Sequence, residues 1–99
     1  MDFTYKIFNS SGEILLAIAD NDIIGKTFSE DDLEIEVSKS FYSEKFCSEK
    51  DAIKLIKSST IVNAVGEKIV KAMVKEKLVK KSGILKIEGV PHAQIVCMK

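Results

Sequence analysis

Six consecutive apolar residues, Ile14-Leu15-Leu16-Ala17-Ile18-Ala19, follow the turn-forming cluster Asn9-Ser10-Ser11-Gly12 and stop at Asp20-Asn21-Asp22. A run this short, apolar at odd and even positions alike, suits a strand covered on both faces. Ala93-Gln94-Ile95-Val96-Cys97-Met98 at the other end of the chain has nearly the same character. Such strands belong in the interior of a sheet, so the chain is constrained to a sheet whose middle is built from both of its ends.

The remaining elements are arranged around that sheet. Phe3-Thr4-Tyr5-Lys6-Ile7 alternates as a half-buried strand should, and with the run after Gly12 it predicts a hairpin. Leu33-Glu34-Ile35-Glu36-Val37 alternates apolar residues with carboxylates, which predicts a strand with one wet face. Phe41 to Cys47 fits either a short strand or an aromatic loop over the core. Ser48 with Asp51 three residues later resembles a capping box and opens a helix through Ser58. Ile61, Val62, Val65, Ile69, Ala72, Met73 and Val74 recur at spacings of three and four, which predicts a long helix from about 60 to 80, ended by Ser82-Gly83. Ile84-Leu85-Lys86-Ile87 predicts a further strand, joined to the last one through Glu88-Gly89-Val90-Pro91-His92. The expected architecture is an α+β fold of about five strands in one mixed sheet, ordered β-β-β-(β)-α-α-β-β, with two helices packed on one face.

Ninety-nine residues suffice for a single domain spanning 1–99 with its own core. No apolar run approaches the roughly 20 residues of a bilayer span, so no membrane association is expected. Cys47 and Cys97 have no CxxC spacing and read as free buried thiols, which points to the cytoplasm. One histidine with two distant cysteines cannot complete a zinc site, so neither metal nor cofactor is expected. Residues 1–49 carry four lysines against eleven acidic residues, a balance of −7, while residues 50–99 carry eleven lysines against four, a balance of +7. Three readings of this division stand: mutual neutralisation across the fold, contact with a polyanion, or solvated lysine faces. Every basic residue is lysine, so the bidentate guanidinium that reads guanine edges is missing and no DNA sequence readout is expected.

Standard nucleotide-loop and hydrolase motifs are absent. Two places draw chemical interest. Gly66, inside the expected helix, carries a penalty of about 1 kcal/mol relative to alanine, which fits either tight packing of the first helix on Gly66, with Asn63 and Glu67 solvated, or a polar notch shared with Asn63 and Glu67. Gly89 and Pro91 are explained by a turn, but the imidazole of His92, the one side chain suited to change charge near neutral pH, is not.

Ile23-Ile24-Gly25-Lys26-Thr27-Phe28, Ser40-Phe41-Tyr42, Ile61-Val62-Asn63-Ala64-Val65-Gly66-Glu67 and Gly89-Val90-Pro91-His92-Ala93-Gln94 together resemble the small archaeal family catalogued as domain of unknown function 424. The resemblance implies a stand-alone cytoplasmic protein without an assigned activity, and, by association only, a role in information processing near the translation machinery. Three functions compete. The first is a non-catalytic binding module for RNA, a ribonucleoprotein or a protein partner, with Gly25, Lys26, Asn63, Gly66, Glu67, Pro91, His92 and Gln94 shaping the contact. The second is an interaction scaffold whose oppositely charged halves pair between molecules. The third is a small enzyme using His92 and Glu67 on an anionic substrate, which requires those two side chains to share one pocket.

Overall fold

The computed structural model describes residues 2–96. Strands β1 (Phe3–Ser10) and β2 (Glu13–Asp20) form the expected hairpin, followed by a small hairpin of β3 (Thr27–Glu30) and β4 (Leu33–Glu36). A single turn of helix, α1 (Lys39–Tyr42), leads to β5 (Lys45–Cys47), helix α2 (Glu49–Lys57), strand β6 (Ile61–Val65), helix α3 (Glu67–Lys75), and the closing strands β7 (Ile84–Ile87) and β8 (Val90–Val96). The large sheet has six strands in the order β5-β1-β2-β6-β8-β7, and β3-β4 forms a separate two-stranded sheet. The fold is thus α+β with a mixed sheet, as expected; β3 and β6 were not anticipated, and the strand expected at 33–37, β4, pairs with β3 in a separate sheet and does not join the large one. Both doubly apolar runs are interior: β2 lies between β1 and β6, and β8 between β6 and β7. The part of the expected last strand at Cys97-Met98 falls outside the described residues.

Alternation across the pleat divides the core in two. Phe3, Leu16, Ile18, Val62, Ala64 and Ala93 face α2 and α3, meeting Ala52, Ile56, Ile69 and Met73. Ala17, Ala19 and Val65 face the other way, toward Val37, Tyr42, Ile24, Phe28 and Ile35 of the hairpin layer and α1. The two longer helices therefore occupy one face of the sheet, and the β3-β4 hairpin with α1 covers part of the other. Ser48 caps α2 by accepting from Asp51 N–H at 3.3 Å, which bears out the sequence signal there. Cys47 is a free, buried thiol that burial, helped by Asp51, pushes up to about 11.

The long helix expected over 60–80 is a strand, a turn and a shorter helix. Ile61–Val65 runs parallel to β2 and antiparallel to β8. Ile61, Val62 and Val65 stand three and four residues apart, and in so short a window that spacing imitates a helix even though the residues are β-branched. Gly66 is accordingly not inside a helix but at the N-cap of α3, with φ 127° and ψ 153°, a conformation essentially confined to glycine. The helix ends at Lys75 because Lys77 adopts φ 60°; Leu78 N–H then donates back to the Met73 carbonyl at 2.8 Å, the bond of a Schellman stop. Leu78 and Val79 continue along the core as irregular chain.

The expected five-residue connection before the last strand is likewise shorter. Ile87 pairs with Val90, leaving a two-residue turn at Glu88-Gly89 whose φ values of 53° and 79° define a type I′ hairpin. Val90, Pro91 and His92 lie inside β8. Lys86 faces Pro91 one step beyond the pair that closes the turn, so the missing N–H of Pro91 points away from β7. The Pro91 carbonyl accepts from Gly66 N–H at 2.9 Å.

Candidate functional site

Antiparallel pairing of β6 and β8 sets Asn63 opposite Gln94 and Val65 opposite His92. All four point to the sheet face away from α2 and α3. There Asn63 Oδ1 accepts from the Tyr42 hydroxyl at 2.9 Å and lies 2.7 Å from His92 Nε2. Burial pushes the Tyr42 phenol up to about 12, so it remains a donor. An amide oxygen with two lone pairs accepts from both neighbours only if His92 carries its proton on Nε2. The imidazole Nδ1 and the Asn63 amide NH2 then make no hydrogen bond among the described residues, and Gln94, opposite Asn63, is exposed. Sequence reasoning named Asn63, His92 and Gln94 but missed Tyr42, whose buried phenol ties α1 to two strands.

Burial lowers the pKa of His92 from its ordinary value near 6.5, so the neutral ring is favoured. A lowered folded-state value means that the unfolded chain binds the proton first as the pH falls. His92 therefore contributes stability present above about pH 6.5 and lost as the pH drops through its folded value. It is the one histidine in the chain, so its ring-proton signal in an NMR titration is unambiguous. A midpoint below that of unstructured histidine is expected; a midpoint at or above it would remove the half-buried network as described.

The other residues singled out in the sequence lie elsewhere. Gly25 (φ 88°) and the exposed Lys26 form the base of the β3-β4 hairpin, where Gly25 N–H donates to Val37 O at 2.7 Å and Val37 N–H to Lys26 O at 2.9 Å. Among the described residues no hydrogen bond joins Lys26 to Asn63 or His92. Gly66 is held against Asp20: a Cβ built there falls 2.4 Å from Asp20 Cγ. Asp20, only 4% exposed, accepts from Lys68 N–H at 2.8 Å and Ile69 N–H at 2.9 Å, so it caps α3 from the end of β2. Burial raises its pKa, with the two backbone hydrogen bonds opposing. Gly66 is thus closely packed, but its neighbour is a carboxylate at the end of β2 and not the first helix.

Glu67 and Pro91 line a groove of about 790 Å3 between α3 and β7. Its floor is Val70, Val74, Ile84 and Pro91; Lys71, Lys75, Lys81 and Lys86 form its rim. Pro91 and His92 are consecutive in a strand and point to opposite faces. Glu67 and His92 consequently lie on opposite sides of the sheet, and the pocket that an acid–base pair would need is not formed between them. The groove was not legible as such, although its lysines were counted.

The charge division of the chain is also a division in space. The acidic stretch Glu30-Asp31-Asp32-Leu33-Glu34 belongs to the hairpin on one side of the sheet, whereas α2, α3 and the segment before β7 carry lysines on the other. Lys75 Nζ and Glu49 Oε2, 3.7 Å apart and both exposed, make the one ion pair among the described residues. That pair joins the two halves of the chain, Glu49 from the first and Lys75 from the second, while the acidic hairpin makes no ion pair with the lysine-bearing side among the described residues.

These features define a small mixed-sheet α+β protein with a lysine-rimmed groove on one side and a Tyr-Asn-His network on the other. The family described as "Protein of unknown function (DUF424)" matches residues 8–98, and the chain belongs to that family. A solved structure described as an uncharacterized conserved protein from Methanopyrus kandleri is similar, with a TM-score of 0.76 and 25% identity, covering 94% of this chain and 89% of that one. No curated protein matches. Among the described residues no helix is long and apolar enough to cross a membrane.

Proposed function

We propose that this chain is a non-catalytic binding module whose lysine-bearing side contacts the phosphate backbone of RNA, free or within a ribonucleoprotein. The observation that carries this reading is the gathering of Lys71, Lys75, Lys81 and Lys86 around one groove, with Glu67 the one carboxylate among its lining residues. Lysine acts as a point charge rather than a bidentate fork, so the contact is with backbone and not with base edges. A free, buried Cys47 is in keeping with action in a reducing cytoplasm. The enzyme reading is not favoured, since His92 and Glu67 are on opposite sides of the sheet.

A filter-binding titration with bulk RNA tests the reading. Four lysine–phosphate contacts with single strands give a slope of log affinity against log salt of about −3. The Lys71→Glu/Lys75→Glu variant is expected to flatten that slope by about half. No retention at low salt, or retention indifferent to salt, removes the proposal.

A further inference from the structure

The groove and the acidic hairpin are chemically complementary, yet they lie on different sides of the sheet in one molecule. At the hairpin tip, Asp31, Asp32, Leu33 and Glu34 are all exposed, and Leu33 keeps 45% of its surface in water. An apolar side chain flanked by carboxylates is the counterpart of an apolar floor flanked by lysines. The tip is also held in place. Ser29 N–H donates to Glu88 Oε1 at 2.6 Å and Glu88 N–H donates to Glu30 Oε1 at 2.8 Å, a reciprocal clasp onto the β7-β8 turn that limits the ordering cost of binding.

We infer that the groove between α3 and β7 receives the tip of the β3-β4 hairpin from a second copy of this chain. Leu33 lies on the Val70, Val74, Ile84 and Pro91 floor, and Asp31, Asp32 and Glu34 face the rim lysines. The formal charge of the whole chain is zero, so no net repulsion opposes the approach of two copies, while the local fields orient them. The contact joins two different surfaces, so each bound pair still offers one free tip and one free groove. Assembly proceeds head to tail and either closes into a ring or remains open. This inference uses the groove but needs no RNA; a polyanion on the same lysines displaces the hairpin.

Sedimentation velocity over a concentration series up to about 1 mM reads the result. The chain is expected to associate at about 10 mM salt, where the screening length is roughly 30 Å, and to dissociate at about 1 M, where it is roughly 3 Å. Asp31→Lys/Asp32→Lys and Lys71→Glu/Lys75→Glu alter only exposed positions, so the fold is retained. Each variant alone is expected to be monomeric at low salt, and an equimolar mixture is expected to associate again. A wild-type chain that stays monomeric at low salt, association that persists in both variants, or a mixture that fails to associate overturns the inference. The RNA reading is scored separately, because the hairpin variant leaves every groove lysine in place and should still be retained on the filter.

Discussion

Replacing Gly66 with alanine is expected to destabilise the fold by about 3 kcal/mol or more, from roughly 1–3 kcal/mol of backbone strain and a similar amount for overpacking. The strain arises because φ 127° with ψ 153° is closed to a residue with a Cβ. The overpacking arises because that Cβ would stand 2.4 Å from Asp20 Cγ, 2.6 Å from Oδ1 and 2.8 Å from Cβ, and this carboxylate is fixed by its hydrogen bonds to α3. Urea unfolding measures the loss as a lower midpoint with an unchanged slope. Gly25→Ala provides the comparison: its φ of 88° is also positive but nothing lies within 4 Å, so only the strain, about 1–3 kcal/mol, is expected. Equal losses at the two glycines would refute the close approach at Gly66. In an Asp20→Ala background the penalty at Gly66 should fall in part, because Cγ and Oδ1 are gone while Cβ remains.

Asp20→Ala by itself is expected to lower stability by about 2–4 kcal/mol, since two backbone donors at the start of α3 lose a charged acceptor in a site closed to water. Asp20→Asn keeps one acceptor oxygen and should lose less. The pH dependence distinguishes this carboxylate from an ordinary exposed cap. Its folded pKa is raised above the unfolded value, chiefly by burial, so its contribution is complete below about pH 4 and diminishes as the pH rises through the folded value. The gap between wild type and Asp20→Ala should therefore narrow from acid toward neutral pH. A gap that widens in that direction would mean that the hydrogen bonds from Lys68 and Ile69 outweigh desolvation.

Much of the sheet was legible because burial on two faces leaves a compositional mark. Ile14–Ala19 and the segment after Pro91 both read as interior strands and are interior. Segment 61–75 was misread for a different reason: Ile61, Val62 and Val65 of the strand stand at spacings of three and four that run on into the true helical periodicity of α3, and the information that separates the two resides in β-branching and in one glycine. Gly66 drew attention, but its neighbour could not be named, because Asp20 lies forty-six positions earlier and reaches it only through the parallel pairing of β2 with β6. The site was half legible. Asn63, His92 and Gln94 share one patch, brought together by the register of two strands that no local pattern specifies. Glu67, four residues from Asn63, would share a face with it on a helix; the turn at Gly66 instead sends it to the opposite side of the sheet.

Among the described residues the β2-β6 pair is the one parallel contact in an otherwise antiparallel large sheet. It is a seam: β5, β1 and β2 come from the anionic half of the chain, and β6, β8 and β7 from the cationic half. Each half can zip its own hairpin locally, whereas joining them requires a long loop to close. Opposite signs on the two pieces draw them together during that slowest search, so ionic strength acts on how quickly the molecule completes itself as well as on whom it later meets.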